Sequence, residues 1–454
     1  MTDTLGAPPK KGVLWTPEHR FTTAGLLLLV TLVAFEAMGV ATAMPTMVAA
    51  LHGQSLYSWP FTGFLVASVV ATVLSGRLGD RKGPVPALLG GLVVFVAGLL
   101  LSGSAQNMAT LLAGRVLQGV GSGFFLVAFS LLIALTYTDR ERPVMYAATA
   151  AAWVLPAVLG PFVGGLVTVH FGWRWVFLGL VPFVAVGTAM LVVVTRRLPP
   201  HAPGERQARA SVPAAVATAL GIAALSWAAQ HPSLVALGYG AVALAVLAVA
   251  LRKLLPAGTL TGRRGLPTVV AARGLIAAAY ASMEAFLPLT MSAVHGYSPS
   301  MAGLPLTLTA LGWSAGSAVQ GRYPDWSREN SLRLGFALVG LGLIGFLLVS
   351  QPWLPGWIAF AVCTIGGAGM GIAMPAISVL LYRYSPENER GFNTSALQLV
   401  DWVGSALLIG IGGVLLAALA SAEHPGPAMA VLALITIGVA FSGVFLTGRW
   451  PEKA

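Results

Sequence analysis

The sequence predicts an all-α polytopic membrane protein: two pseudo-symmetric six-helix bundles with a two-helix hairpin inserted between them, fourteen transmembrane helices in all. Three observations carry this. Hydrophobic residues fill 57% of the 454 positions and charged residues only 9%, with mean hydropathy +0.82; soluble domains run nearer one half and one quarter. Apolar runs of bilayer-crossing length, about 20 residues, recur along the chain. The basic residues fall in alternate loops between those runs.

Taken in order, the runs are 22–50, 57–76, 84–104, 108–135, 143–169 and 174–195. The stretch Arg196 to Ser211 is polar and basic. Runs 213–229 and 233–251 follow, joined at Gln230-His231-Pro232, and a second basic stretch holds Arg252, Lys253, Arg263 and Arg264. Six more runs close the chain: 267–291, 300–320, 334–350, 356–381, 393–420 and 427–447. The domains read as 1–198 for the first bundle, 199–265 for the linker with its hairpin at about 213–251, and 266–454 for the second bundle. The polar start, with Lys10, Lys11 and Arg20, precedes an apolar stretch too long for a signal-peptide core, so it reads as a retained first helix.

Loop charge tests the count. With fourteen helices, all of the 26 Lys and Arg residues except Arg115, Arg174 and Arg273 fall on one side. The positive-inside rule makes that side the cytoplasm and places both termini there, in a multi-pass protein of the cell (inner) membrane. The net charge of +11 is therefore read as topology, with no nucleic-acid partner.

The two outer blocks echo one another. Gly76-Arg77-Leu78-Gly79-Asp80 recurs as Gly321-Arg322-Tyr323-Pro324-Asp325, an offset of 245 residues from Asp80 to Asp325. Gly119, Gly121 and Gly123 recur as Gly367, Gly369 and Gly371, and Glu141-Arg142 as Glu389-Arg390, at an offset of 248. Secondary transporters are commonly built from such repeats, with the site at mid-membrane between them. The hairpin has no counterpart and reads as filler or a docking surface.

These residues resemble the major facilitator superfamily, and within it the fourteen-helix drug:proton antiporters. Gly76-Arg77-Leu78-Gly79-Asp80-Arg81-Lys82-Gly83 is similar to the loop signature between helices two and three, with Pro84 and Val85 where two basic residues usually follow. Arg115-Val116-Leu117-Gln118-Gly119-Val120-Gly121 is similar to the helix-four signature. Gly160-Pro161-Phe162-Val163-Gly164-Gly165 partly resembles the antiporter signature on helix five, with Ala147 and Pro156 at the upstream positions where small residues are usual. Trp173 to Phe177 with Pro182 resembles the turn before helix six. Glu36 followed by Ala43-Met44-Pro45 resembles a helix-one pattern, with Glu in place of Asp. The resemblance implies proton-driven export of lipophilic, cationic or neutral small molecules by alternating access, with the proton gradient and no cofactor as the energy source, in a monomer. It implies a proton-transfer role for Arg115, a cytoplasmic latch for Asp80 with Arg77 and Arg81, and a leak-proof seam for Gly160, Pro161, Gly164 and Gly165.

The residues carry their own reading. Glu36, Glu284 and Asp401 lie inside apolar helices, where a charge costs about 2.5–3.5 kcal/mol on insertion scales. A buried carboxyl can exchange a proton near neutral pH as water access changes, which suits proton coupling; the alternative is a satisfied acid holding two helices together or a cation-binding group uncoupled to protons, and it weighs most for Asp401, which lies within helical reach of Gln398 and Ser405. By symmetry Glu36 and Glu284 face a central cavity. Arg273, Tyr280 and Glu284 share one helical stripe, although Arg273 reads better as a boundary residue snorkelling to the inner surface. Arg115 needs a buried partner, as a proton-transfer group or as a hydrogen-bond hub. Phe35, Met38, Tyr280, Met283, Phe286, Trp153, Trp313 and Trp402 are candidates for a lipophilic cavity, a minority of them touching substrate. The glycine–proline seam is also what ordinary close packing of helices five and eight would need.

The single cysteine, Cys363, forms no intramolecular disulfide, and no metal-binding spacing occurs. There is no Walker loop, HExxH or nucleophile elbow, and the seven histidines lie mostly at helix ends or in loops. That disfavours a membrane-embedded enzyme. A facilitator or importer of a nutrient remains the alternative within transport, and the three acids weigh against an anionic substrate.

Overall fold

In the computed structural model the described residues are 13–138, 141–196, 211–230, 234–323, 326–386, 389–419 and 424–448. They form the fourteen helical passes that the sequence predicts. The first block holds α1 (Arg20–Ala50), α2 (Trp59–Lys82), α3 (Pro84–Gly103), α4 (Met108–Thr136) and α5 (Arg142–His170), then a sixth pass. That pass is broken into α6 (Trp175–Leu178) and α7 (Val181–Thr195) at Gly179-Leu180, ahead of Pro182. The hairpin is α8 (Val212–Gln230) and α9 (Leu234–Leu254). The second block is α10 (Leu266–Ala293), α11 (Pro299–Arg322), α12 (Arg328–Val349), α13 (Ile358–Tyr384), α14 (Arg390–Leu419) and α15 (Gly426–Thr447). Eleven passes are long and apolar enough to cross a membrane on length and composition. The others are α8, α9 and α11, the last diluted by Thr307, Thr309, Ser314, Ser317 and Gln320.

Local chemistry sets several helix ends. Asn107 caps α4 by accepting a hydrogen bond from the Thr110 N–H at 2.9 Å, as N-cap side chains do. Gly83 alone joins α2 to α3, with φ of 76°, in the left-handed region that glycine enters without strain. This explains one glycine of the loop signature by backbone geometry. Asp80 stands in the last turn of α2, and Gly83 takes the N-cap position of α3 with no side-chain cap.

The two blocks pack by one plan. α4 packs between α2 and α3 as α13 does between α11 and α12; α1 lies on α5 and α7 as α10 lies on α14 and α15. The recurring glycines sit at equivalent crossings. A Cβ on Gly119 would stand 2.2 Å from the Phe64 carbonyl oxygen, and one on Gly367 2.1 Å from that of Thr309. Any larger residue would pry α4 from α2, or α13 from α11.

The halves meet through α5 with α11 and α2 with α14, and the hairpin leans on α2 and α14 through α8. Their close approaches lie at the end remote from the basic loops. Tyr57, buried, donates from its hydroxyl to the Ala285 carbonyl of the other half at 3.0 Å and stacks on Phe286 at 5.2 Å. Gly165 lies so near α11 that a Cβ there would be 2.3 Å from Ser300 Cα, and Gly164 lies against Gly39. Toward the basic loops the seam loosens: Trp153, Val154 and Leu155 of α5 and Val319 and Tyr323 of α11 are exposed. Gly165→Ala is therefore expected to push α5 off α11 at a cost of roughly 1–3 kcal/mol, as overpacking does, and to raise passive proton leak. Thermal unfolding and pH-dye leak in liposomes check it; unchanged values in both would remove the seam's tightness as the reason for this glycine.

Candidate functional site between the two halves

Of the three intramembrane acids, the structure brings two together. Glu36 on α1 and Glu284 on α10 border one cavity of about 190 Å³ at the junction of the halves. Around them stand Met38 of α1, Phe61 and Phe64 of α2, Arg115 of α4, Leu306 of α11, and Ser405 and Ile409 of α14. Six helices from both blocks thus contribute, and the wall is apolar except for the two carboxyls, the guanidinium and one hydroxyl.

The two acids differ in their neighbours. Glu36 is fully buried, and its Oε1 accepts from Arg115 Nη1 in an ion pair. Arg115 also donates from Nη1 to Gln118 Oε1 and from Nε to the Pro60 carbonyl at 3.2 Å, and lies 4.6 Å from the Phe64 ring centroid. Gln118 in turn donates to Ser102 Oγ at 3.3 Å. The Arg115-x-x-Gln118 spacing is thereby explained: residues three apart on a helix are neighbours, so the glutamine holds the guanidinium toward α1. A planar five-donor group suits this role where a lysine would not. The other oxygen of Glu36, Oε2, is buried without a hydrogen-bond partner among the described residues.

For Glu284, no hydrogen-bond or ion-pair partner is found among the described residues. The internal repeat says why. The offset that carries Gly119 onto Gly367 carries Glu36 onto Glu284 and Arg115 onto Cys363. The second half has the acid without its guanidinium, and at the arginine's place is a buried thiol.

Asp401 belongs to a different cluster. Arg273 Nε donates to Asp401 Oδ1 at 2.6 Å, its Nη2 pairs with Oδ2, and its Nη1 contacts Met374 Sδ. This corrects two expectations. Arg273 is not a snorkelling boundary residue, because its guanidinium turns inward to a carboxylate across α10 and α14. Asp401 is satisfied by Arg273 rather than by Ser405, which faces the central cavity. Eleven residues separate Arg273 from Glu284 on α10, or about 16 Å of helix at 1.5 Å per residue, so this pair lies nearer the basic loops.

Among the candidate cavity residues, Met38 borders the space and the rest do not. Phe286 is buried against Tyr57. Tyr280 is buried edge-on to Trp313, with ring centroids 6.1 Å apart, and Met283 is buried facing Gly366 of α13. Phe35 approaches Gly160 on α5. Trp402 is half-buried and Trp153 exposed on α5. Of the loop signature, Gly76, Arg77, Gly79 and Arg81 lie on the final turns of α2, with Arg81 exposed, and a Cβ on Gly79 would press on Leu131 of α4 at 2.6 Å. The Asp80 side chain and Asp325 lie outside the described residues. Gly160, Pro161, Gly164 and Gly165 all lie on α5, where a Cβ on Gly160 would meet Met38 at 2.8 Å, and the Pro161 carbonyl faces Gly303 of α11. Sequence reasoning missed Phe61, Phe64 and Leu306; the signal available was that a buried guanidinium favours an aromatic face.

A sequence profile of the Major Facilitator Superfamily matches residues 26–409, most of the chain and both acids of the cavity. The chain belongs to the major facilitator superfamily. Among its curated relatives, an MFS transporter of Phoma sp. (strain ATCC 20986 / MF5453) is 28% identical over 91% of this chain and 72% of its own length. An uncharacterized MFS-type transporter of Mycobacterium tuberculosis (strain ATCC 25618 / H37Rv) is 31% identical over 87% of this chain and 59% of its own. The chain thus spans about three fifths to three quarters of the length of these relatives. A multidrug transporter of Bacillus subtilis (strain 168) is 32% identical over 38% of this chain and 30% of its own. A crystal structure of a POT family transporter with 5-aminolevulinic acid superposes with TM-score 0.72 over 95% of this chain and 97% of that one, at 13% identity. That likeness shows the facilitator fold alone.

Proposed function

We propose that this facilitator-superfamily protein is a proton-coupled exporter of lipophilic cationic or neutral small molecules, working by alternating access, with Glu284 as the group that carries the transported proton. One observation carries the reading: two acids face one inter-half cavity, and among the described residues only Glu36 has a counterion. A buried charge without a partner is costly. Glu284 can be neutralised by a proton or by a cationic substrate, and competition between the two is the elementary form of antiport. Glu36, held by Arg115, is a fixed dipole beside it. The largely apolar wall favours lipophilic cargo, and the multidrug relative is in keeping with it. Asp401, paired with Arg273, is assigned a conformational role at the basic-loop end.

With those loops in the cytoplasm, the closure at the other end by Tyr57 and the α5–α11 seam supports an inward-facing reading. The cavity is smaller than the ~300–1,000 Å³ of ordinary small-molecule sites, so drug-sized cargo requires the halves to part around it. The test is movement of a fluorescent lipophilic cation by purified protein in liposomes under an imposed pH gradient. Concentrative uptake that a protonophore abolishes is expected. Indifference to the gradient across a varied substrate panel would instead make the protein a facilitator.

A further inference from the structure

A larger cavity than the central one lies elsewhere. The hairpin stands off the second bundle and leaves an apolar crevice of about 820 Å³ walled by α8, α9, α10, α14 and α15. On α14 it runs from Val400 to Val414, about 21 Å at 1.5 Å per residue. One leaflet of a bilayer is about 15 Å of hydrocarbon, half of a ~30 Å core, so the crevice takes an acyl chain at full length. Its walls are Leu, Val, Ile, Ala and Gly, with Ser226 and Ser442 among the few polar side chains.

Its foot is built differently. The segment from Thr259 to Gly262 closes the basic-loop end. It is a folded bracket: Gly258, Gly262 and Gly265 have positive φ, Thr259 Oγ1 donates to the Pro256 carbonyl at 2.7 Å, and Thr268 Oγ1 to the Arg263 carbonyl at 2.7 Å. The bracket and the end of α9 carry Arg252, Lys253, Arg263 and Arg264, all exposed and all without an ion-pair partner among the described residues. No acid lies between positions 252 and 265. A long apolar slot whose foot, Thr259 to Gly262, runs straight into the exposed Arg263 and Arg264 matches one kind of molecule: a chain of hydrocarbon with an anionic head.

We propose that this crevice is a binding site for one anionic phospholipid of the surrounding bilayer, an acyl chain lying along α14 and the phosphate held by the Arg263–Arg264 bracket. Guanidinium forks bind phosphate oxygens in pairs, and basic clusters at the membrane face select anionic headgroups. The inserted hairpin then has a function that the twelve other passes do not supply. It makes the second wall of a lipid slot on the back of α14, the helix whose Ser405 and Ile409 face the central cavity and which crosses to α2 in the other half.

Native mass spectrometry of the full-length protein, equilibrated with equal amounts of phosphatidylglycerol and phosphatidylcholine of identical chains, tests this. One phosphatidylglycerol is expected to survive delipidation that strips phosphatidylcholine. The double variant Arg263→Gln/Arg264→Gln is expected to lose that preference, and Ser442→Phe, which fills the slot from α15, to lose the bound lipid of either kind. Ser442→Phe leaves every loop charge in place, so it decides the matter even if the double variant inserts poorly. Equal retention of the two lipids by the wild type, or undiminished phosphatidylglycerol binding in Ser442→Phe, would overturn the proposal and leave the lipid here as ordinary bilayer contact. Retention of a lipophilic transport substrate in the slot in place of the lipid would overturn it too, by making the crevice an entry path.

Discussion

Glu284→Gln is expected to abolish pH-gradient-driven transport, lowering the initial rate by roughly two orders of magnitude or more, the scale of losing a positioned proton-transfer group. Glutamine keeps the shape and polarity of the side chain and removes only its capacity to take up and release a proton. Glu284 has no described partner to lose, so folding should be undisturbed, and the variant should unfold at the wild-type temperature. Substrate-for-substrate exchange at equal pH on both sides should persist, because it requires the halves to rock but no net proton movement. The informative comparison is therefore between uphill transport and exchange in the same liposomes. Loss of the first with survival of the second fits the proton-carrier assignment. Loss of both points to substrate binding or folding, and uphill transport that survives in Glu284→Gln would sink it.

The internal repeat is what singles out this residue. Both halves place an acid at the same level of their first helix, and the shared offset brings the two acids to the same cavity. Arg115 and Cys363 then break the symmetry. With an arginine at both positions, the cavity would hold two neutral ion pairs and no group free to exchange charge. With a cysteine at both, two uncompensated acids would face one another in an apolar space. One fixed pair beside one acid without a described partner avoids both. This asymmetry lies in the sequence, in registers already aligned by Gly119 and Gly367, and it takes on meaning when α1 is seen against α4.

The helix count and its grouping were legible because a bilayer leaves few alternatives: an apolar stretch of about 20 residues can satisfy its backbone there only as a helix. The shared packing plan was legible through the paired glycines, since a close crossing tolerates no Cβ. Partner choice was not. Arg115 meets Glu36 from 79 positions away, and Arg273 meets Asp401 from 128; helical spacing offers only near neighbours, Gln398 and Ser405 for Asp401, and for Arg273 the membrane surface. Nor could spacing orient the aromatic residues. α10 is buried on nearly every side, so its periodicity has no polar face to mark the cavity, and Tyr280, Met283 and Phe286 turn into the packing around it. The α6–α7 break at Gly179-Leu180 was hidden because an apolar run looks the same whether or not the helix is continuous.

Arg115→Leu is expected to be the most destabilising single change at the site, because it strands Glu36. Both side chains are buried, and Glu36 already has one oxygen without a hydrogen-bond partner. Removing one member of a buried pair typically costs about 3–5 kcal/mol, since the remaining charge has lost both its solvent and its counterion. Gln118 and the Pro60 carbonyl lose a donor in the same stroke. The double variant Glu36→Gln/Arg115→Leu removes both charges, and it should recover a large part of that loss, as neutral replacements of buried pairs commonly do. Arg115→Lys should fall between them, for an ammonium keeps the charge but cannot span Glu36, Gln118 and Pro60 in one plane. Thermal unfolding of the four proteins in one detergent gives the comparison. The order expected is wild type, then the double variant and Arg115→Lys, with Arg115→Leu lowest. If Arg115→Leu is no less stable than the double variant, the cost of an unpaired Glu36 is not what holds the arginine in place. The pair would then owe its presence to transport alone, and Glu36 would join Glu284 as a candidate for the proton.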